Sequence, residues 1–210
     1  MTRRNVYHTG STRAAPSDPG DPDCGDDTMA VSITSPDQNI HIRILDISNI
    51  KLWFRSRSFD RYDEERLAHQ LGRLGSTAWI TYHRRQSEAY RRAQGLSADE
   101  LAAAERPSDS PHRRRFQEAL HAVEGEGVSP SGAIRVRTTG LLRWNVTIEP
   151  GTLRRLGEDR FRSEVHATIR ALLQDREMKI IILKSDYFDL GLPDAWLDLM
   201  RRLRASNSRR

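Results

Sequence analysis

The pattern that most restricts the fold is a period-two alternation of apolar residues that occurs twice, 94 residues apart. In its first occurrence Val31 and Ile33, then Ile40, Ile42 and Ile44, then Ile50, Leu52 and Phe54 alternate with polar residues. In its second, Ile134 and Val136 precede a turn at Thr139-Gly140, and Leu142, Trp144, Val146 and Ile148 follow. Such alternation marks half-buried strands, and the stretches Ser35-Pro36-Asp37-Gln38-Asn39 and Asp46-Ile47-Ser48-Asn49 between them are turn formers. The offsets from 40 to 134, 42 to 136, 52 to 146 and 54 to 148 are all 94. Alternation alone would match at every second offset, so the weight rests on the other positions that share this one. Ser35-Pro36 falls on Ser129-Pro130, Arg43 on Arg137, Arg61 on Arg155, Glu64 on Glu158, Arg66 on Arg160, Leu67 on Phe161 and Leu71 on Val165. A duplication accounts for this, and so does chance similarity between two ββα units. One ββα unit cannot cover its own sheet face, so two in one chain would bury their apolar faces together, as a homodimer of the single unit would.

Each strand group is followed by a helical stripe. The first opens at Asp60 or Asp63, has Glu64 and Glu65 in its first turn, carries Leu67, Leu71, Leu74, Ala78, Trp79 and Tyr82 at helical spacing, and runs to about Gln94. Gly72 and Gly75 inside it each cost roughly 1 kcal/mol relative to alanine, so they mark either a close packing contact or a weak helix. Ser97-x-x-Glu100 spells a capping box, and the helical pattern resumes after Pro107 and Pro111 through Phe116, Leu120 and Val123. The second stripe holds Phe161, Val165, Ile169, Leu172 and Leu173. Beyond it, Pro193 opens a short amphipathic helix with Trp196, Met200 and Leu203 on one face, which either docks on the chain's own core or meets a partner.

Residues 1–28 are rich in Pro, Gly, Ser and Asp, without periodicity, and read as a disordered tail; Met29 is an alternative start. Units are expected at 29–95 and 125–184, joined by a helical linker at 96–124 and followed by an extension at 185–210. Neither a membrane span nor a secretory signal is legible, so a cytoplasmic protein is expected. Cys24 is the sole cysteine, which excludes disulfide frameworks and cysteine-paired zinc sites. No dinucleotide loop, Walker lysine, nucleophile elbow or ligand-spaced histidine pair is present. We therefore expect no enzyme, no metal and no cofactor. The net charge of +5 comes almost wholly from arginine, since lysine occurs only at 51, 179 and 184. That permits a polyanion partner without requiring one.

Gly125-Glu126-Gly127, Gly132-Ala133-Ile134-Arg135-Val136, Thr139-Gly140, Val146-Thr147-Ile148-Glu149-Pro150, Leu153, and Glu158-Asp159 ahead of Phe161 resemble the YbaB/EbfC nucleoid-associated family in order and spacing. The run from Ile148 to Gly157 is similar to the branch of that family associated with type VII (ESX) secretion, typified by the Esp proteins of mycobacteria. The match covers about a quarter of the chain, reaches the first half only through the repeat, and includes no catalytic motif. The first half lacks the proline after its second strand, and the extension has no counterpart in the family core.

The resemblance implies an α+β fold of two tandem units, each an antiparallel hairpin or meander followed by a long helix, forming an intrachain pseudo-dimer. It also implies weakly selective binding of double-stranded DNA, with a possible homodimer. Arg84, Arg85, Arg91 and Arg92 on the first long helix and Arg113, Arg114 and Arg115 on the linker would hold phosphates. The alternative for these arginines is a solvated helix face paired with Glu88, Glu105 and Glu118. The type VII branch implies instead a protein partner, met by Trp196, Met200 and Leu203.

Overall fold

The computed structural model describes residues 30–46, 49–95, 97, 99–100, 110–189, 191 and 193–207. The expected tail at 1–28 lies outside them. The chain is α+β, with two three-stranded antiparallel sheets and four helices among the described residues. Strands β1 (Val31–Thr34), β2 (Ile40–Asp46) and β3 (Asn49–Phe54) form one sheet in that order. Strands β4 (Glu124–Val128), β5 (Ile134–Thr139) and β6 (Arg143–Ile148) form the other, also in chain order.

The alternation sets the register of both. Ile42 faces Leu52 and Ile40 faces Phe54 in the first sheet, while Val136 faces Val146 and Ile134 faces Ile148 in the second. The turns feeding β2 and β5 are built alike: Ser35 N–H donates to the Ile40 carbonyl and Ser129 N–H to the Ile134 carbonyl, each at 2.8 Å. The two serine hydroxyls accept from the Ile40 and Ile134 amides at 3.0 and 3.1 Å. Gln38 and Gly132, again 94 apart, both take positive φ, 61° and 78°.

The structure adds one strand and corrects one expectation. The apolar alternation marks no strand at Gly125-Glu126-Gly127, yet this stretch lies in β4, its backbone paired with β5. Leu142, expected as an inward strand residue, sits exposed in the turn before β6. Leu141 takes a left-handed φ of 60° there and turns inward against Val136 and Leu172, which leaves Leu142 outside.

Helix α1 (Glu64–Gln94) starts at Asp63, whose carboxylate accepts from the Arg66 amide at 2.7 Å, and stops at Gly95, where φ is 65°. Ser97 and Glu100 close the expected capping box reciprocally, at 2.7 and 3.2 Å. Helix α2 (Pro111–His121) follows, then α3 (Thr152–Tyr187), which breaks at Gly157 so that its long run starts at Glu158. Helix α4 (Asp194–Asn207) begins just after Pro193.

One core joins the halves. The Phe161 ring lies 6.2 Å from that of Phe54 and 5.4 Å from that of Phe59, and Ile40, Leu67 and Leu74 share the cluster with Ile134, Ile148 and Val165. The Leu153 amide in the first turn of α3 donates to the Glu64 carboxylate at 3.2 Å, so the start of one long helix caps the other. No described helix is long and apolar enough to cross a membrane.

Glycines set how closely the long helices approach the strands. A Cβ on Gly72 would stand 3.2 Å from the Trp144 carbonyl oxygen, and one on Gly75 only 2.8 Å from the Trp144 ring. Helix α1 thus rests against β6, and the two glycines mark a close contact. A Cβ on Gly127 would come within 2.1 Å of the Thr168 carbonyl oxygen, so α3 rests on the backbone of β4.

Candidate nucleic-acid interface

The seven expected phosphate-binding arginines fall on two helices. Arg84, Arg85, Arg91 and Arg92 occupy the last three turns of α1, with heptad spacing that stacks Arg84 above Arg91 and Arg85 above Arg92. Much of their charge is used within the chain. Arg84 Nε contacts Glu88 at 3.1 Å, Arg92 Nη2 reaches the same carboxylate at 3.8 Å, and Arg85 Nη1 donates to the Ala30 carbonyl at 2.9 Å. Arg91 and Arg92 lie in the final turn, where the helix dipole favours cations. This group fits the paired helix face named above as the alternative.

Arg113, Arg114 and Arg115 differ. All three are exposed, and none has an ion-pair partner among the described residues. They open α2, whose first turn contains no acid. Cations at the positive end of a helix raise the energy of that end by a few tenths of a kcal/mol to about 1 kcal/mol each, and a bound anion would relieve it. His112 and Phe116 on the neighbouring face pack edge-on to Tyr187 and Phe188, with ring centroids 4.9–5.6 Å apart. This aromatic cluster pins α2 to the end of α3 and holds the arginine triplet outward. Helix α2 packs on α3, so the triplet does not extend the α1 stripe.

The expected partner stripe on α4 is divided. Met200 is turned inward, at 9% exposure, while Trp196 stands 56% exposed beside exposed Leu199. The Leu203 side chain lies outside the described residues. Arg201 ties the helix to Asp186 at 2.9 Å.

Sequence reading missed a cationic groove between β3 and α3. It encloses about 530 Å3 and is lined by Arg43, Lys51, Trp53, Arg162 and His166, with Leu52 and Ile169 among its apolar residues. Its counterpart, 94 residues on, lies between β6 and α1 and carries Asp63, Glu64 and Glu65 against Arg73 and Arg143. A comparison of charges across the 94-residue offset was the available signal. On the outer face of the second sheet Glu126 accepts from Arg135 at 2.7 Å and Arg137 at 3.1 Å. Burial alone would raise the Glu126 carboxyl, but these two arginines hold it below the usual range. Lys51 has no such acid.

Among the described residues no group of three or more His, Cys, Asp or Glu side chains gathers closely enough to hold a metal. Set against protein-family models, curated proteins and solved structures, the chain matches none of them.

Proposed function

We propose that this chain is a non-enzymatic, nucleoid-associated protein of the cytoplasm that binds the backbone of double-stranded DNA with little sequence selectivity. Its two units are read as diverged tandem copies packed as an intrachain pseudo-dimer. The observation that carries the DNA reading is the triplet Arg113-Arg114-Arg115, exposed, without acidic partners among the described residues, and set at the positive end of α2. The fork of each guanidinium matches phosphate geometry, and contacts of this kind read charge rather than base edges.

The test is titration of a labelled duplex at low and near-physiological salt, with the triple alanine variant alongside. Binding should weaken linearly in log salt, and the variant should lose affinity on all sequences alike and flatten the slope by about 3, roughly 1 per phosphate contact. No binding even at low salt would remove this reading.

A second reading, an accessory or chaperone role in type VII secretion with a protein partner, is favoured by Trp196 and Leu199, which stand exposed together on α4. It predicts little DNA binding at physiological salt and loss of a co-purifying protein in Trp196→Ala.

A further inference from the structure

We infer that the outer edge of β3 is a docking strand for an extended peptide of another protein, one whose side chains alternate apolar and acidic. Two sheets of three strands have four edges, and at or beside three of them the backbone meets a helix or one of its side chains. At β4 the Glu126 amide donates to Asp175 at 2.9 Å, and α3 rests on Gly127. At β6, α1 sits on the Trp144 carbonyl through Gly72. At the head of β1, Arg85 closes over the Ala30 carbonyl. The backbone of β3 bonds only to β2 among the described residues. An unpaired edge of this kind is a template for another strand.

The helix wall opposite β3 differs from the one opposite β6. Where α1 carries Gly72 and Gly75, α3 carries His166 and Ile169 at the 94-residue offset. Both side chains line the groove of about 530 Å3 along β3, and Gly72 lines one of about 840 Å3 along β6. The pleat of β3 then dictates the chemistry of a fourth strand. Its residues beside Ile50 and Leu52 would meet Val165 and Ile169, which are apolar. Its alternate residues would lie beside Lys51, next to Arg43 across the sheet, with Arg162 on the opposite wall. Of the charged groups there, Arg162 pairs with Asp159 and also with Glu158 at 4.0 Å, whereas Lys51 has no ion-pair partner among the described residues. The Arg162 Nε is itself buried without a hydrogen-bond partner. A second copy of this chain is a poor occupant, since β3 offers Lys51 and no acid to its own copy.

The experiment uses the full chain and fluorescein-labelled acetyl-(Val-Glu)3-amide, followed by anisotropy. Saturable binding is expected, at least tenfold weaker for the (Val-Lys)3 peptide. A similar loss is expected for (Val-Glu)3 peptides N-methylated on alternate amides in at least one of the two registers, and for the Lys51→Glu variant, whose altered side chain is exposed and whose melting should be unchanged. Amides of 49–54 should gain hydrogen-exchange protection on binding while those of 143–148 do not. Undiminished binding by the N-methylated peptides in both registers would show charge attraction without strand addition and overturn the proposal. Undiminished binding by Lys51→Glu, absence of binding at millimolar peptide, or protection of 49–54 through self-association of the free chain would overturn it as well.

Discussion

The two halves share most strand pairs and the turn that feeds the middle strand, differ at the hairpin that follows, and meet their helices differently. In the first half the small residues are on the helix, at Gly72 and Gly75, and the edge strand β1 carries Val31 and Ile33. In the second they are on the edge strand, at Gly125 and Gly127, and the helix carries His166 and Ile169. Each glycine pair draws one helix onto one strand. The result is a close contact between α1 and β6 and another between α3 and β4, with grooves left along both β6 and β3. Similar backbones thus carry unequal grooves, the larger lined by Asp63, Glu64 and Glu65 at its α1 wall and the smaller by Arg43, Lys51 and Arg162.

The harshest way to break this asymmetry is to put unit one's kind of side chain into unit two's close seam. Gly127→Ala places a Cβ 2.1 Å from the Thr168 carbonyl, a backbone atom that cannot rotate away. It should cost more than about 3 kcal/mol in denaturant unfolding, beyond the usual overpacking penalty. A loss near zero would show that α3 does not rest on β4.

Gly75→Ala is milder, because the obstacle is the Trp144 ring, a side chain able to shift. We expect about 1–2 kcal/mol. Combining it with Trp144→Leu should recover part of that loss, giving a nonzero coupling in a double-mutant cycle. Strict additivity would sever the α1–β6 seam from our account.

The smallest effect separates the two turns by pH. In the first turn, burial would raise the Asp37 carboxyl, but Ser35 at 2.6 Å and Tyr62 at 2.5 Å, with the Asn39 amide, hold it below its ordinary 3.8. In the second, burial likewise opposes two bonds from Ser131 that hold Glu164 below 4.5. A lowered folded value adds stability above the ordinary one and loses it as pH falls through the folded value. The gap between the native chain and Asp37→Asn should thus narrow below about pH 3.8, and that for Glu164→Gln should begin to narrow nearer 4.5. Both gaps should stay under about 1 kcal/mol, since solvent screens both carboxyls. Melting curves from pH 3 to 7 measure them.

Much of this fold is legible in the chain because apolar alternation reports a strand's buried face directly. Ile40, Ile42, Ile44 and Phe54 show that pattern, and all are buried. Asp63 and Gly95 bound α1 through local hydrogen bonding, which is also written in adjacent residues. What escaped was nonlocal. β4 is a strand although it alternates glycine with glutamate, because its inward positions are filled by α3 rather than by its own side chains. Leu141 and Leu142 are both apolar, and only the left-handed turn decides which goes in. The seven arginines look equivalent as letters, but Glu88 and the Ala30 carbonyl engage three of those on α1 and leave the α2 triplet without partners. The cationic groove draws on β2, β3 and α3, and no window of sequence contains it.

The aromatic contact that joins the halves also sets a timetable. Phe54 and Phe59 leave the ribosome about a hundred residues before Phe161, the ring that completes their cluster. At about 5–20 residues per second, the inner face of the first sheet waits roughly 5–20 s for its lid. During that interval Ile40, Phe54 and Phe59 have Leu67 and Leu74 beside them but lack Ile134, Phe161 and Val165, and the Glu64 carboxylate stands ready for an amide not yet made. Translation speed between residues 60 and 160 is therefore a variable of this protein's folding yield, and holdase chaperones have a defined stretch of chain to shield.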